Sequence, residues 1–155
     1  KGYTPVRIDI SVLVTDADDH VLLVHPGTGT RWRLPTATHT DTRPLGEIPA
    51  QALAAETGLH RPVTTILGID HTPADTNTGG EERVVLVCDG GRLTSTEREA
   101  AAVPDSATTV TKVRWIPFGF VGDYVTDTEE TRIHTAYHAQ TNGVVSLRLG
   151  AGASS

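Results

Sequence analysis

Residues 32–59, WRLPTATHTDTRPLGEIPAQALAAETGL, constrain this chain more than any other stretch. They open on an aromatic, an apolar residue and a proline (Trp32, Leu34, Pro35), cross a polar loop, and close on Glu56, Thr57, Gly58 and Leu59. Pro44 suits a first helical turn, with Asp41 or Thr42 as its cap, and Gly58 is a helix stop. Pro49 inside a helix would remove a backbone bond and clash with the carbonyl four residues earlier, so the helix either kinks or starts near Pro49 and is short. On that helix Ala52, Ala55 and Glu56 supply one carboxylate. A hard cation such as Mg2+ wants several oxygen ligands, although it often draws most of them from water and substrate phosphates.

Around this segment lie short apolar runs that read as strands. Residues 7–15 alternate and then become apolar, residues 16–19 turn, and residues 20–25 form a second run, which predicts a hairpin. Residues 63–71 and 82–88 are two more strands joined by a Gly- and Thr-rich loop, with Asp89, Gly90 and Gly91 expected to turn the chain out of the second. Residues 96–102 suggest a short helix and residues 112–116 another strand. Residues 127–140 are the best-formed helix, started by Asp127 with Glu130 and stopped by Asn142 and Gly143. Residues 144–149 complete the strands. No internal repeat or domain boundary appears. Residues 1–149 therefore read as one domain and residues 150–155 as a flexible C-terminal tail.

A chain of 155 residues is long enough for one compact core, burying about two-thirds of its unfolded surface. Its net charge of -6, with no Lys/Arg run, argues against a nucleic-acid surface or a basic membrane-binding face. An acidic protein that binds phosphates must do so with local groups. Cys88 is the one cysteine, so no intrachain disulfide can form, and its apolar run predicts a buried thiol. No apolar stretch is long enough to span a bilayer and no signal peptide is visible, so a cytoplasmic protein is expected. Beginning at Lys1 with no Met anywhere, the chain is expected to lack the start of its translation product.

The frame of residues 32–59 resembles the Nudix hydrolase family. There a W-x-L-P-G-G segment leads into a box G-x5-E-x7-R-E-U-x-E-E-x-G-U, where U is apolar. With Gly58 on the last box glycine, the first falls on Ala37 without a gap. Leu53, Gly58 and Leu59 match. Arg43 stands at the first box glutamate, Gln51 at the arginine, and Ala52 and Ala55 at two of the following glutamates, leaving Glu56. Residues 113–117, VRWIP, also resemble the family, and Thr109 stands where many members carry a further glutamate. The resemblance implies an α/β fold, a Nudix-type α/β/α sandwich with a mixed β-sheet, a small-molecule ligand in its cleft and, as is common in the family, a homodimer. It also implies that most of the metal-binding glutamates are lost, so that Mg2+ binds weakly through Glu56 or not at all, and no other cofactor is indicated.

The candidate acids and bases are His39, Asp41, Glu47 and Glu56, with His39 and Asp41 as a general acid–base pair. The candidate ligand-binding residues are Arg31, Trp32, Arg33, Arg43, His71, Glu82 and Arg83. Arginines can grip phosphate or carboxylate bidentately, and Arg31 and Arg33 share a strand face. Arg43, in the place of a metal-binding acid, would supply a fixed cation. His25 also falls at a strand end near the expected cleft, and His134 and His138, four apart on one helix, are spaced for a metal but more simply form a solvated face. Three functions fit: a non-catalytic module binding a small phosphorylated metabolite, a divergent enzyme with metal-independent chemistry, or a residual hydrolase of nucleoside diphosphate derivatives.

Overall fold

The computed structural model describes residues 6–40, 42–143 and 146–149. The expected tail at residues 150–155 and the start of the last strand at 144–145 lie outside the described residues. One mixed sheet organises the rest. Its strands are β1 (Arg7–Asp16), β2 (His20–His25), β3 (Thr36–Thr38), β4 (Ile66–Thr72), β5 (Arg83–Leu93), β6 (Lys112–Pro117) and β7 (Ser146–Leu149). The order is β6-β2-β1-β5-β4-β7, with β3 paired to the first half of β1. The β1–β5 and β4–β7 pairs are parallel and the others antiparallel.

Helices cover both faces, which explains why β1 carries buried residues on both sides of its pleat. Ile10, Val12 and Val14 pack with Ile48 and Leu53 of α1 (Ile48–Thr57). Leu13 points the other way and joins Val85, Val87, Ile133 and Ala136 under α3 (Asp127–Asn142). A short α2 (Ser95–Arg98) follows β5 and opens with a capping box, Thr94 accepting from the Glu97 amide and Glu97 from the Thr94 amide.

Pro49 has its answer in α1. The helix is short and begins at Ile48, after a 3-10 turn over Leu45–Glu47, so the proline sits in the first turn, where its missing N–H has no intrahelical partner to lose. Gly58 ends it in the left-handed conformation at φ 72°, its amide donating to the Ala54 carbonyl.

Three expectations are corrected. Asp89, Gly90 and Gly91 do not turn the chain out: β5 runs on to Leu93 through a register shift opposite Leu13 and Val14. A Cβ on Gly90 would come within 2.5 Å of Val14 Cγ2 and 2.7 Å of Val12 Cγ1, so the glycine marks a close passage across β1. The cap of α3 is Thr126, whose hydroxyl accepts from the Glu129 amide, and Asp127 is already helical. Residues 36–38, read as loop, form β3, because Asp9, Ile10 and Ser11 offer them an open ladder.

Candidate functional site

The segment after Trp32 is stitched between the two long helices. Arg33 exchanges backbone hydrogen bonds with Val24 of β2, at 2.8 and 3.0 Å. The Leu34 amide donates to Glu129 Oε2 of α3 (3.1 Å) and the Thr36 amide to Glu56 Oε1 of α1 (3.0 Å). Two distant helices thereby fix one short piece of extended chain, and the side chains it carries are placed by both.

Glu56 is only 2% exposed. A carboxylate taken out of water must be paired and hydrogen-bonded, and here it is on every side. Arg33 grips it with both terminal nitrogens, Nη1 to Oε1 at 2.9 Å and Nη2 to Oε2 at 3.0 Å. Thr109 Oγ1 donates to Oε2 at 2.5 Å. With the Thr36 amide, two donors converge on each oxygen. Below this pair a cavity of about 350 Å3 is lined by Ala52, Ala55, Thr38 and Thr108 as well as by Arg33 and Glu56 themselves.

Above it opens a larger cleft of about 620 Å3, on the α3 side of the sheet. Ser11 and Val85 line it with Arg31, Trp32, Arg33, Arg83 and Arg132, together with the start of α3. Arg83 donates to Asp9 Oδ2 (2.6 Å), and Asp9, 1% exposed, also accepts from Arg7 and from Thr38. Burial would push the Asp9 carboxyl up, but these hydrogen bonds outweigh it and hold it below the ordinary aspartate value. Arg132 Nε donates to buried Asp70 at 2.7 Å and Nη1 to Glu129 at 3.3 Å. Arg31 differs: its contact is the Val125 carbonyl, at 3.2 Å, with no carboxylate beside it among the described residues. Trp32 packs edge-on against His25 and Tyr124, at ring-centroid distances of 5.1 and 6.4 Å.

Of the residues singled out from sequence, the structure gathers Arg31, Trp32, Arg33 and Arg83 around one cleft and joins Arg33 to Glu56. It does not gather the others. His39 Nε2 lies 2.9 Å from the carbonyl of Arg43, Glu47 is exposed in the 3-10 turn, and neither lines the cleft or the cavity beneath it. Asp41 lies outside the described residues. His71 and Glu82 bond one another at 2.8 Å beside the cleft, whose lining takes their neighbours Thr72 and Arg83 but not the pair itself. Arg43 hydrogen-bonds Gln51, so the guanidinium that meets Glu56 is that of Arg33. His134 packs at a tilt against Phe118 and lies 3.8 Å from Glu130, and among the described residues no group of three or more His, Cys, Asp or Glu is placed to hold a metal ion. Sequence reading missed Asp9, Asp70, Glu129 and Arg132, each of which has a partner far away in the chain. Thr109 carried a signal only as the position of an absent glutamate.

No family model matches the chain, and no curated protein matches it. Solved structures do. The MutT protein of Methanosarcina mazei Go1 superposes with a TM-score of 0.65 at 15% identity, over 92% of this chain and 99% of that one. This is a Nudix-type fold. The NUDIX domain of Shewanella oneidensis NrtR, solved with ADP ribose, gives 0.65 at 17% identity over 89% of each chain. An ADP-ribose pyrophosphatase of Streptococcus suis 89-1591 gives 0.64 at 13% identity over 92% of this chain and 98% of that one. The Nudix-type sandwich expected from residues 32–59 is therefore the observed architecture. Among the described residues no helix is long and apolar enough to cross a membrane.

Proposed function

We propose that this protein binds a small phosphorylated metabolite in the arginine-lined cleft, without the Mg2+-dependent pyrophosphate hydrolysis that the Nudix resemblance would otherwise suggest. The observation that carries the reading is the state of Glu56. In the box register it is the one glutamate kept, with Arg43, Ala52 and Ala55 at the other acidic positions. Its two oxygens accept four hydrogen bonds, two of them from a guanidinium. A cation entering there would have to displace Arg33 and would meet hydroxyls and alanine methyls in place of carboxylates. That donor set does not fit Mg2+.

The cleft itself suits an anion. Its arginines bring directional donors, and Arg31 brings a charge with no carboxylate against it among the described residues, while Thr126, Thr128 and Glu129 line it from the start of α3. The likeness to a domain solved with ADP ribose makes that dinucleotide fragment the first probe. The candidate acids and bases His39 and Glu47 stand apart from this cleft, which favours binding over turnover.

Calorimetric titration with ADP-ribose and with nucleoside diphosphate sugars, in chelator and again in Mg2+, tests the proposal, with mass spectrometry of the reaction mixture. Saturable binding in chelator without cleavage is expected. Mg2+-dependent release of phosphate-containing products would overturn it.

A further inference from the structure

Arg33 has more to offer than its pair with Glu56. A guanidinium carries five N–H donors in a fixed plane. Both Nη1 hydrogens are engaged, by the Leu34 carbonyl (3.0 Å) and by Glu56 Oε1, and one Nη2 hydrogen is held by Glu56 Oε2. The Nε hydrogen and the second Nη2 hydrogen have no partner among the described residues. These two belong to the same edge of the plane, the pair that receives two oxygens of one oxyanion side by side. Arg33 also lines the large cleft, and its side chain is 28% exposed.

Resting on the function proposed above, we propose that this free edge is a preorganised grip for one phosphoryl group of the ligand, and that Glu56 is the positioning residue that aims it. The backbone of Arg33 is fixed in a mutual pair with Val24, and its head is clamped by a buried carboxylate that is itself held by Thr36 and Thr109. Little rotamer freedom is left to lose on binding, which is the usual cost of using a long side chain. The Arg33–Glu56 pair is neutral as a unit, so it contributes direction, while Arg31, with no carboxylate partner among the described residues, contributes net positive charge. A fixed cation with oriented donors then does for the phosphoryl group what a metal would otherwise do.

Two variants separate this from a simple charge effect. Arg33→Lys keeps the charge and loses the fork. Glu56→Gln keeps the shape, loosens the clamp, and leaves Arg33 more positive. If Arg33 acted only as a charge, Arg33→Lys would be nearly silent and Glu56→Gln would tighten binding. The grip predicts that both weaken it.

The experiment is calorimetric titration of ADP-ribose in chelator against wild type, Arg33→Lys and Glu56→Gln, each checked by circular dichroism for a folded state. Arg33→Lys is expected to weaken binding by about tenfold or more, the scale of one lost charge-assisted hydrogen bond, and Glu56→Gln by several-fold. Wild-type affinity for ADP-ribose retained in Arg33→Lys, or tighter binding in Glu56→Gln, overturns the grip and leaves the binding function standing. If Glu56→Gln does not fold, Arg33→Lys decides alone. No binding by the wild type overturns both.

Discussion

Arg33→Ala strips Glu56, whose side chain is 3% exposed in the native protein, of its bidentate partner. Breaking a buried ion pair from one side leaves an uncompensated charge, and we expect a loss of about 3 kcal/mol, the low end of the range because Arg33 is part-exposed. In a chain of this size that lowers the melting temperature by roughly 10 °C. Differential scanning calorimetry checks it, and a shift under about 2 °C would mean that Thr36 and Thr109 satisfy the carboxylate alone. Both members of this pair were legible as candidates: Arg33 from its place beside Trp32, Glu56 from the box register. Their meeting was not, because 23 residues separate them and nothing in either segment announces a partner. Arg43, expected as the fixed cation, hydrogen-bonds Gln51, and the guanidinium against Glu56 is that of Arg33, because linear spacing does not give the direction of a long side chain. Asp9, in an alternating strand, reads like a solvated residue until β3 and β5 bring Thr38 and Arg83 onto it.

Strand and helix ends repeat this lesson at larger size. The strand cores were readable because Val, Ile and Leu cluster in them, and β2 lies where its apolar run puts it; α1 lies where Pro49 and Gly58 put it, while Pro44, expected in its first turn, heads the 3-10 turn and the N-cap of α1 is Glu47, with no side-chain cap bond. The end of β5 was not, since a glycine that lets a strand pass closely and a glycine that turns it look alike in sequence. Gly90→Ala separates the two meanings. Its Cβ would press on Val12 and Val14 of the neighbouring strand and on the Leu13 carbonyl at 3.0 Å, so overpacking should cost about 1–3 kcal/mol. A turn glycine with open space around it would tolerate alanine far better. Chemical denaturation of the variant measures the difference, and a midpoint equal to that of wild type contradicts the close-passage reading.

At the scale of the molecule, two buried carboxylates tie separate elements to β1 and make the fold acid-sensitive. Asp9 links β1 to β3 and β5. Asp16 accepts from the amides of Asp18 and His20 and from Arg98 of α2. Burial pushes both carboxyls up, but the hydrogen bonds made to them prevail and hold both below the ordinary value. A carboxyl whose folded value is depressed stabilises the native state fully above its unfolded value, about 3.9 for aspartate, and loses that contribution as pH falls toward the folded value. Melting temperature should therefore be flat near neutrality and fall steeply below about pH 4, and Asp9→Asn should lower the neutral plateau while flattening the acid limb. An unchanged acid limb in that variant would remove Asp9 from the account. The sandwich as a whole was legible because the spacing of Trp32 to Leu59 resembles that of a known frame, whereas the chemistry was not, because it depends on which charges face one another across the sheet. Whether Glu56 can still take a metal is read by a Mn2+ titration followed by electron paramagnetic resonance. No saturable site at Glu56 is expected on the wild-type protein, since this carboxylate already holds a cation of its own in Arg33. A saturable Mn2+ site that Glu56→Gln abolishes would contradict this expectation.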